Sequence, residues 1–408
     1  MKKRPWGYQP INERPEPDWQ LNSQTEAVRA GLARSGFGET SEALYLTSGF
    51  TYSSAEEAET AFKDEIDHYL YGRFANPTIA MFEQRLATLE GAESCIATGS
   101  GMSAMFASVA CLVEKGDRVV ASASMFSSCH VVLTEFLPKW GVTTELVQGT
   151  NRADWERALS KPTKAVFIET PSNPLMDIVD IKMVSELAHK VGATVIVDNV
   201  MASPIYQKPL QLGADVVMYS TTKHIDGQGR VLGGAVLGSA KYITEQFQPF
   251  IRHTGPALSP FNAWVMVKSL ETMQMRVERM NSNAQAVAEF LEKNAKIKAV
   301  RYPGLKSHPQ HELAMKQMHG AGGTTIGIEF KGDKHAAFKF MNALRVIDIS
   351  NNLGDSKSLI THPASTTHRR LAPEVQAEMG ITESTLRLSV GLEHQDDLIK
   401  DLEQALAK

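Results

Sequence analysis

Short apolar runs alternate with helical patterns through the middle of the sequence, and this alternation constrains the fold more than any other feature. The apolar runs predict strands at residues 95–98, 119–121, 142–147, 165–168, 194–197 and 215–219. The spacing of apolar residues between them predicts helices near 102–113, 128–140, 153–159 and 181–191. Because such strands form parallel sheets covered on both faces, the sequence predicts an α/β fold with a mostly parallel sheet flanked by helices.

Polar side chains follow three of these predicted strands. The segment 169–174, Glu-Thr-Pro-Ser-Asn-Pro, follows the strand at 165–168, Asp198 follows 194–197, and the segment 220–223 follows 215–219. Ligands bind outside the carboxyl ends of parallel strands, so these side chains should meet at one site. An ionised Asp198 after an apolar run is costly unless a cation pairs with it. A protonated pyridine nitrogen would be such a cation, and a capping or turn aspartate is the alternative.

Lys223 stands at the end of a group of small hydroxyl residues, Ser220, Thr221 and Thr222. Hydroxyl groups can bind an anion such as a phosphate, and a lysine between apolar walls and near other cations loses its proton. A neutral lysine is a nucleophile that forms Schiff bases. The alternative is a solvated loop lysine.

A glycine-rich turn offers a second place for an anion. Gly99, Ser100 and Gly101 lead into the helix predicted at 102–113, whose first N–H groups and dipole attract negative charge. The same turn matches the G-x-G-x-x-A pattern of dinucleotide-binding enzymes through Ala104, although the expected acidic residue is absent after the strand at 119–121. A turn that only joins strand to helix is a third possibility.

Tyr71 and Arg73 precede a helix that Asn76 should cap and that Gly91 should end. On alternate extended positions a phenol and a guanidinium project the same way, which suits a phosphate. An ordinary surface pair beside a helix start is the alternative.

The C-terminal third predicts helices at 263–280 and 284–294 and a strand within 384–391. Arg387 and Ser389 should share one face of this strand, where an unpaired guanidinium would be costly, so Arg387 needs a carboxylate from substrate or from the protein. His308, His311 and Glu312 have a loose metal-like spacing, but their surroundings favour a solvated loop, and we expect no metal site.

Composition limits the remaining possibilities. The chain has 408 residues, which is enough for two or three domains: an N-terminal arm at 1–65 that contacts a neighbouring subunit, a large domain at 66–260 and a smaller α/β domain at 261–408. A net charge of −4 argues against nucleic acid or an anionic membrane as the main partner. The three cysteines, Cys95, Cys111 and Cys129, form no CxxC pair and are expected in the core of a cytoplasmic protein, since the sequence also offers no signal-peptide or membrane-span pattern.

Taken together, these motifs resemble the Cys/Met metabolism family of enzymes that depend on pyridoxal 5′-phosphate (PLP). The motifs are Tyr71-x-Arg73 with Asn76-Pro77-Thr78, Ser100-Gly101-Met102, the segment 169–174, Val197-Asp198-Asn199 and the segment 220–223. The family includes cystathionine gamma-synthases, O-acylhomoserine sulfhydrylases and gamma-lyases. The resemblance implies an aspartate-aminotransferase-like fold (fold type I) and a homotetramer built from two active dimers.

The resemblance also implies roles for individual residues. Lys223 should be the catalytic residue and bind PLP covalently, Asp198 should pair with the pyridine nitrogen, and Asn173 should lie near the phenolic oxygen. Arg387 should bind the substrate α-carboxylate, and Ser358 should help to place substrate and lysine. The other cofactor-binding residues implied are Ser100, Gly101, Met102, Ser220 and Thr222 around the phosphate, Phe126 against the ring, and Tyr71 and Arg73 from the partner subunit.

Phe126 also bears on the choice among family members, because many gamma-synthases and gamma-lyases carry a tyrosine at this position. The phenol is thought to assist the leaving group, which a carboxylate with a conjugate-acid pKa near 4 needs less than a thiolate. Phe126 therefore favours an O-acylhomoserine substrate. The segments 39–44 and 255–264 most resemble members that replace the acyl group of O-succinylhomoserine with sulfide by γ-replacement. Acetyl substrates, cystathionine formation, γ-elimination, a scaffold without catalysis and an NAD-binding oxidoreductase are the alternatives.

Overall fold

The computed structural model describes residues 19–408, and these residues form two sheets. The strands of the larger sheet are β1 (Ser94–Thr98), β2 (Arg118–Ser122), β3 (Thr143–Val147), β4 (Ala165–Glu169), β5 (Thr194–Asp198), β6 (Val216–Ser220) and β7 (Gly234–Gly238). They lie in the order β1-β7-β6-β5-β4-β2-β3, and only β7 runs antiparallel to its neighbours. The predicted mostly parallel sheet is therefore confirmed.

The described helices between residues 19 and 254 precede this sheet or cover it. They are α1 (Ser23–Arg29), α2 (Ala55–Phe62), α3 (Pro77–Glu90), α4 (Gly101–Ala110), α5 (Ser127–Val131), α6 (Arg152–Ala158), α7 (Ile181–His189), α8 (Ser203–Tyr206), α9 (Ala240–Tyr242) and α10 (Gln248–Thr254). The segment predicted as one helix at 128–140 continues after α5 as a π-helix at Val132–Phe136 and a 3-10 helix at Leu137–Trp140. Further short turns are a π-helix at Ile243–Phe247 and a 3-10 helix at Pro209–Leu212.

Helix α3 begins and ends where its sequence predicts. Thr78 N–H donates to Asn76 Oδ1 at 2.9 Å, and Pro77 occupies the first turn, where a missing N–H costs nothing. Gly91 ends the helix with φ of +81°, a left-handed conformation that glycine adopts without steric cost. The apolar positions Phe82 and Leu86 are fully buried. This helix therefore fixes the chain that enters β1.

Strand β7 was not predicted, because its sequence, Gly-Ala-Val-Leu-Gly, is bounded by residues that strands usually avoid. The glycine is required by close packing: a Cβ on Gly234 would lie 2.3 Å from Ser100 O. β7 pairs with both β1 and β6, and it brings the turn after β1 beside the end of β6.

The smaller sheet contains β8 (Ile297–Arg301), β9 (Thr325–Phe330), β10 (Asp348–Ile349), β11 (Leu359–Thr361) and β12 (Thr385–Ser389) in the order β10-β11-β12-β9-β8. The helices of residues 260–408 are α11 (Pro260–Leu270), α12 (Met273–Glu292), α13 (His311–Gln317), α14 (Lys334–Ala343), α15 (Pro373–Glu378), α16 (Gln395–Leu406) and a 3-10 helix at Pro363–Ser365. Helix α11 packs against α3 in the core beside the larger sheet. Leu386 and Leu388 of β12 lie in the core between this sheet and its helices, as their alternation with Arg387 predicts.

The helices predicted at 263–280 and 284–294 are placed wrongly. The chain breaks between α11 and α12, and α12 then runs without interruption. The Arg276 guanidinium explains the break, since its Nη2 donates to Ser269 O at 2.9 Å and satisfies a carbonyl at the end of α11.

The N-terminal segment packs against helices of its own chain through a buried ion pair. Arg85 Nη2 donates to Glu42 Oε1 at 2.6 Å, and Trp264 Nε1 donates to Glu42 O at 2.9 Å. Phe37 and Leu46 in the same segment stay exposed, at 98% and 68%. The predicted arm spans 1–65, of which residues 1–18 lie outside the described part of the chain. Within the part that is described, no helix is long and apolar enough to cross a bilayer.

Candidate active site

The ends of β4, β5 and β6 meet at the carboxyl edge of the larger sheet, as predicted. Glu169 and Asp198 are register partners at the ends of β4 and β5, and Lys223 follows β6 after two residues. Glu169 and Asp198 are both buried, at 3% and 6% exposure. The site therefore holds two carboxyl groups side by side in a poorly hydrated place.

Lys223 is largely withdrawn from solvent, and its Nζ donates to Asn352 Oδ1 at 2.5 Å. Burial disfavours the charged amine, and the positive charge of Arg387 disfavours it further. Together they lower the pKa of Lys223 from 10.5 to about 8. A lysine with this pKa is a usable nucleophile and base near neutral pH.

Arg387 is the second cation of the site and is almost fully buried, at 1% exposure. Its Nη1 donates to Asn173 Oδ1 at 3.1 Å, and its Nη2 donates to the carbonyls of Asn351 and Asn352 at 2.8 and 3.1 Å. The buried Nε is left without a hydrogen-bond partner in the described structure. Burial lowers the pKa of Arg387 to about 10, and the charge of Glu169 opposes that effect. A buried cation with an unpaired N–H is suited to an incoming anion.

Asp198 accepts a hydrogen bond from Val200 N–H at 3.1 Å through Oδ1. Burial raises the pKa of Asp198 to about 7. Burial also raises the pKa of Glu169 well above its usual range, and the neighbouring Asp198 adds to this effect. Two adjacent buried carboxylates favour a cation between or beside them, which is the setting expected for a protonated pyridine nitrogen.

The turn after β1 lies directly against the end of β6. Ser100 caps α4, because Ser103 N–H donates to its Oγ at 3.1 Å. A Cβ on Gly101 would lie 2.5 Å from the Ser220 Cβ, so only glycine permits this approach. The helix N-terminus that carries Met102 therefore lies beside the Ser220 side chain, and their predicted contact with a phosphate remains a prediction.

Thr222 follows Ser220 by two residues, and its hydroxyl already has hydrogen-bond partners within the protein. Its Oγ1 accepts from Gly233 N–H at 3.1 Å and donates to Gly233 O at 3.3 Å. Its predicted role toward the phosphate remains a prediction.

Tyr71 and Arg73 are not brought to Lys223 within this chain. Arg73 Nη1 donates to Arg252 O, and its guanidinium lies 4.7 Å from the Phe74 ring centre. Tyr71 is 43% exposed and packs edge-on against Phe74. Their predicted contribution to a partner's site remains a prediction.

Phe126 begins α5 near the end of β4. Its N–H donates to Glu169 Oε2 at 2.6 Å, and its half-buried ring packs against the core of the larger sheet. Asn173, in the turn after β4, donates its N–H to Glu169 Oε1 at 2.8 Å. Both predicted cofactor residues are therefore held by the same carboxylate.

Ser358 forms its hydrogen bonds with Glu393 and Gly391, and its predicted help in placing substrate and lysine remains a prediction. Its Oγ donates to Glu393 Oε2 at 2.8 Å and accepts from Gly391 N–H at 2.9 Å, so both functions of the hydroxyl are used. Asn352 of the same loop makes the contact with Lys223. An irregular loop gives no periodicity that tells which of its polar residues turns inward, and sequence reasoning therefore missed Asn352.

The segment predicted as a solvated loop around His308 is also different. His308 is buried at 4% exposure, and His311 begins α13. Among residues 19–408 no group of three or more His, Cys, Asp or Glu side chains could hold a metal ion. Cys95 and Cys129 are buried, as predicted, and Cys111 is half-buried.

The site fits PLP on four features of its own residues. They are a partly deprotonated buried lysine, a buried carboxylate for a cationic ring nitrogen, a helix N-terminus that a Cβ on Gly101 would obstruct, and a buried guanidinium with a free N–H. Lys223, Asp198, Ser100 to Met102 and Ser220 are the residues that would hold the cofactor.

Comparison with known proteins agrees with this geometry. Residues 24–407 match the family described as Cys/Met metabolism PLP-dependent enzyme. The chain is 54% identical over 390 residues to the O-succinylhomoserine sulfhydrylase of Mycobacterium tuberculosis (strain H37Rv), covering 95% of this chain and 96% of that one. It is 45% identical to the enzyme of the same name from Pseudomonas aeruginosa over 94% of each chain. It is 41% identical to an L-methionine gamma-lyase from Porphyromonas gingivalis over 94% of this chain and 96% of that one.

Solved structures agree as well. Cystathionine gamma synthase from Xanthomonas oryzae pv. oryzae, solved with aminoacrylate and cysteine, has a TM-score of 0.91 and 34% identity, covering 95% of this chain and 98% of that one. A Campylobacter jejuni structure that contains N'-pyridoxyl-lysine-5'-monophosphate has a TM-score of 0.90 and 31% identity, covering 95% and 100%. The family match covers nearly the whole chain, and solved members share its fold. The chain therefore belongs to the Cys/Met metabolism family of PLP-dependent enzymes.

Proposed function

We propose that this protein catalyses γ-replacement on O-succinylhomoserine with sulfide, giving homocysteine and succinate, as in methionine biosynthesis. The observation that carries the proposal is the 54% identity, over nearly the whole of both chains, to an O-succinylhomoserine sulfhydrylase. Membership in the family selects PLP over the dinucleotide cofactor that the glycine turn also allowed. The carbon–oxygen bond at Cγ breaks, a carbon–sulfur bond forms there, and succinate leaves with the bonding electrons.

Arg387 binds the α-carboxylate of the substrate. Its buried Nε has no partner, so the guanidinium keeps an N–H donor for an incoming carboxylate. Asn173 Oδ1 and the backbone carbonyls of Asn351 and Asn352 hold the rest of the guanidinium in place. This arrangement orients an amino acid with its α-carbon toward Lys223.

Lys223 moves the protons. With a pKa of about 8, its Nζ can remove the α-proton and then a β-proton of the substrate, and it can return protons to these two carbons after sulfide has added at Cγ. Asn352 Oδ1 keeps the amine from turning away, because it accepts a hydrogen bond from Nζ. When bound, PLP supplies an electron sink for the carbon next to the substrate amine. Asp198 stabilises a positive charge at the ring nitrogen, and Ser100, Gly101, Met102, Ser220 and Thr222 hold the phosphate.

Phe126 supports an acyl leaving group. A phenylalanine at this position cannot donate a proton, and a succinate carboxylate, whose conjugate acid has a pKa of about 4, departs without one. A thiolate, as in γ-elimination from methionine, would profit more from an acid. The proposal therefore places replacement of the acyl group ahead of thiol elimination, although gamma-lyases are among the relatives.

The assembly proposed is a cytoplasmic homotetramer of two active dimers. Within their own chain Arg73 donates to Arg252 O and Tyr71 packs on Phe74, so neither is engaged with Lys223, which suits a role in the partner's phosphate site. Exposed apolar side chains in the N-terminal segment, Phe37 and Leu46, suit burial against that partner. We retain the domain division at 1–65, 66–260 and 261–408, which agrees with the separation of the two sheets.

The test supplies the purified enzyme with O-succinylhomoserine or O-acetylhomoserine, each with sulfide or cysteine, and identifies the products by mass. We expect homocysteine and succinate as the main products, with O-succinylhomoserine and sulfide giving the highest kcat/KM. The Lys223→Ala variant is the matched control and should lose turnover. Ammonia and 2-oxobutanoate as the main products would support a gamma-lyase instead, and cystathionine as the preferred product would support a gamma-synthase.

A further inference from the structure

Glu169 is a buried carboxylate to which the proposed function assigns no task. Phe126 N–H donates to its Oε2 at 2.6 Å, and Asn173 N–H donates to its Oε1 at 2.8 Å. Each carboxylate oxygen therefore receives one backbone N–H, and the two donors come from different loops. These two donors and the charge of Arg387 favour the ionised form of Glu169 and oppose the rise of its pKa that burial causes, and hydrogen bonds to an ionised acceptor are shorter and stronger than those between neutral groups. The side chain therefore ties the start of α5 to the turn after β4.

The side chain of Asn173 is oriented by a second contact. Arg387 Nη1 donates to Asn173 Oδ1 at 3.1 Å. A guanidinium has no acceptor atom, so the amide must turn its oxygen toward Arg387 and its Nδ2 away from it. With its backbone held by Glu169 and its oxygen held by Arg387, Asn173 presents Nδ2 as a fixed donor.

We propose that Glu169 is a positioning residue, which holds Asn173 so that its Nδ2 donates to an anionic oxygen of the cofactor and holds Phe126 beside the same site. This inference rests on the proposed function, because it assumes PLP at Lys223. Glu169 itself acts through the two backbone N–H groups. Its charge also opposes the desolvation of Arg387, the residue that orients the Asn173 amide.

A carboxylate is needed at this position, because both of its oxygens must accept. Glutamine has the same shape, but its Oε1 can accept from only one of the two N–H groups, while its Nε2 would face the other donor. Glu169→Gln therefore breaks one of the two bonds without changing the volume of the side chain. Glu83→Gln is the matched control, because Glu83 of α3 accepts a backbone N–H from Ala97 of β1 at 2.7 Å.

The first measurement is hydrogen exchange on cofactor-free protein, followed by mass spectrometry of peptides that contain Phe126 or Asn173. In Glu169→Gln we expect faster exchange in at least one of these peptides and unchanged exchange in β5 and β6. Glu83→Gln should leave both peptides as in the wild type. This readout needs neither cofactor nor activity.

The second measurement is a pH titration of the visible absorbance of the cofactor-loaded protein. An amide donor stabilises the anionic oxygen, so its misplacement in Glu169→Gln should raise the titration midpoint by about one pH unit or more. A role limited to stability would leave the midpoint of the folded protein unchanged. Glu83→Gln should titrate as the wild type does.

Faster exchange together with a raised midpoint supports the proposal. A folded Glu169→Gln protein with wild-type exchange and a wild-type midpoint overturns it. If Glu169→Gln does not fold, Glu169→Asp, which keeps the charge but withdraws the carboxylate by one methylene, must show the same two changes, and wild-type behaviour there overturns the proposal. A wild-type protein without visible absorbance after saturation with PLP would instead overturn the proposed function.

Discussion

Lys223 should titrate near pH 8 in the enzyme freed of its cofactor. Burial and the charge of Arg387 lower its pKa from 10.5 to about 8. This difference corresponds to at most about 3 kcal/mol between the two protonation states. At pH 7.5, about a quarter of the Lys223 amines would then be neutral, against about one in a thousand at a pKa of 10.5. The site therefore increases the reactive amine by more than about a hundredfold.

The assay is brief acetylation of cofactor-free enzyme at a series of pH values from about 6 to about 11. This range includes both the lowered and the ordinary pKa of a lysine. Mass spectrometry of the peptide that contains Lys223 gives the labelling rate at each pH, and the midpoint of the rate profile gives the pKa. We expect a midpoint close to 8. In Arg387→Gln the midpoint should rise, because a positive charge is removed, but it should stay below 10.5, because burial is the larger cause.

The same pKa predicts how stability depends on pH. Because the pKa of Lys223 is lower in the folded protein than in the unfolded chain, the unfolded chain binds more protons between about pH 8 and about pH 10.4. The free energy of unfolding of the cofactor-free enzyme should therefore contain a contribution that rises with pH in this window, and below pH 8 the lysine costs at most about 3 kcal/mol. Lys223→Met should lack this contribution.

A labelling midpoint near 10.5 in the wild type would refute the reasoning, because Lys223 would then be an ordinary solvated amine. If Arg387→Gln leaves the midpoint unchanged, the guanidinium does not lower the pKa of Lys223, and burial alone lowers it.

Three further changes test other contacts of the structure. Asn352→Ala removes the acceptor of Lys223 Nζ, and kcat should fall by about tenfold, as expected for one lost hydrogen bond of about 1.4 kcal/mol; an unchanged kcat would show that the contact does not position the amine. Arg387→Lys keeps the charge but loses the planar fork, so KM for the amino-acid substrate should rise by about tenfold or more with a smaller change in kcat; an unchanged KM would exclude Arg387 as the carboxylate site. Glu42→Gln leaves the buried Arg85 without its nearest carboxylate, and urea unfolding should show a loss of about 3 kcal/mol; a loss under about 1 kcal/mol would mean that the pair is not needed to anchor the N-terminal segment.

The sequence allowed the larger sheet and the position of the lysine to be predicted, because both depend on local patterns. Apolar runs such as 194–197 predict buried strands. The polar residue that follows each run lies at the carboxyl edge of the sheet, and this position does not depend on the conformation of the loops. Asp198 therefore ends β5 beside β6, the strand that Lys223 follows. The start of α3 at Asn76 and Pro77 could also be predicted, because capping depends on residues that are neighbours in the sequence.

The elements that could not be predicted depend on packing between distant segments. β7 exists because glycine allows its backbone to lie against Ser100, a constraint invisible in a Gly-rich stretch. The break between α11 and α12 depends on a side chain that reaches back to the preceding helix. Asn352 was missed because an irregular loop carries no period that separates inward from outward residues.

The most direct test of the central claim is the position of the covalent link. The wild-type enzyme is saturated with PLP, reduced with borohydride and digested, and the peptides are sequenced by mass spectrometry. We expect a phosphopyridoxyl group on Lys223 and no such group at this position of the peptide in Lys223→Ala. A saturated, reduced wild-type protein whose Lys223 carries no such group would show that Lys223 does not bind the cofactor.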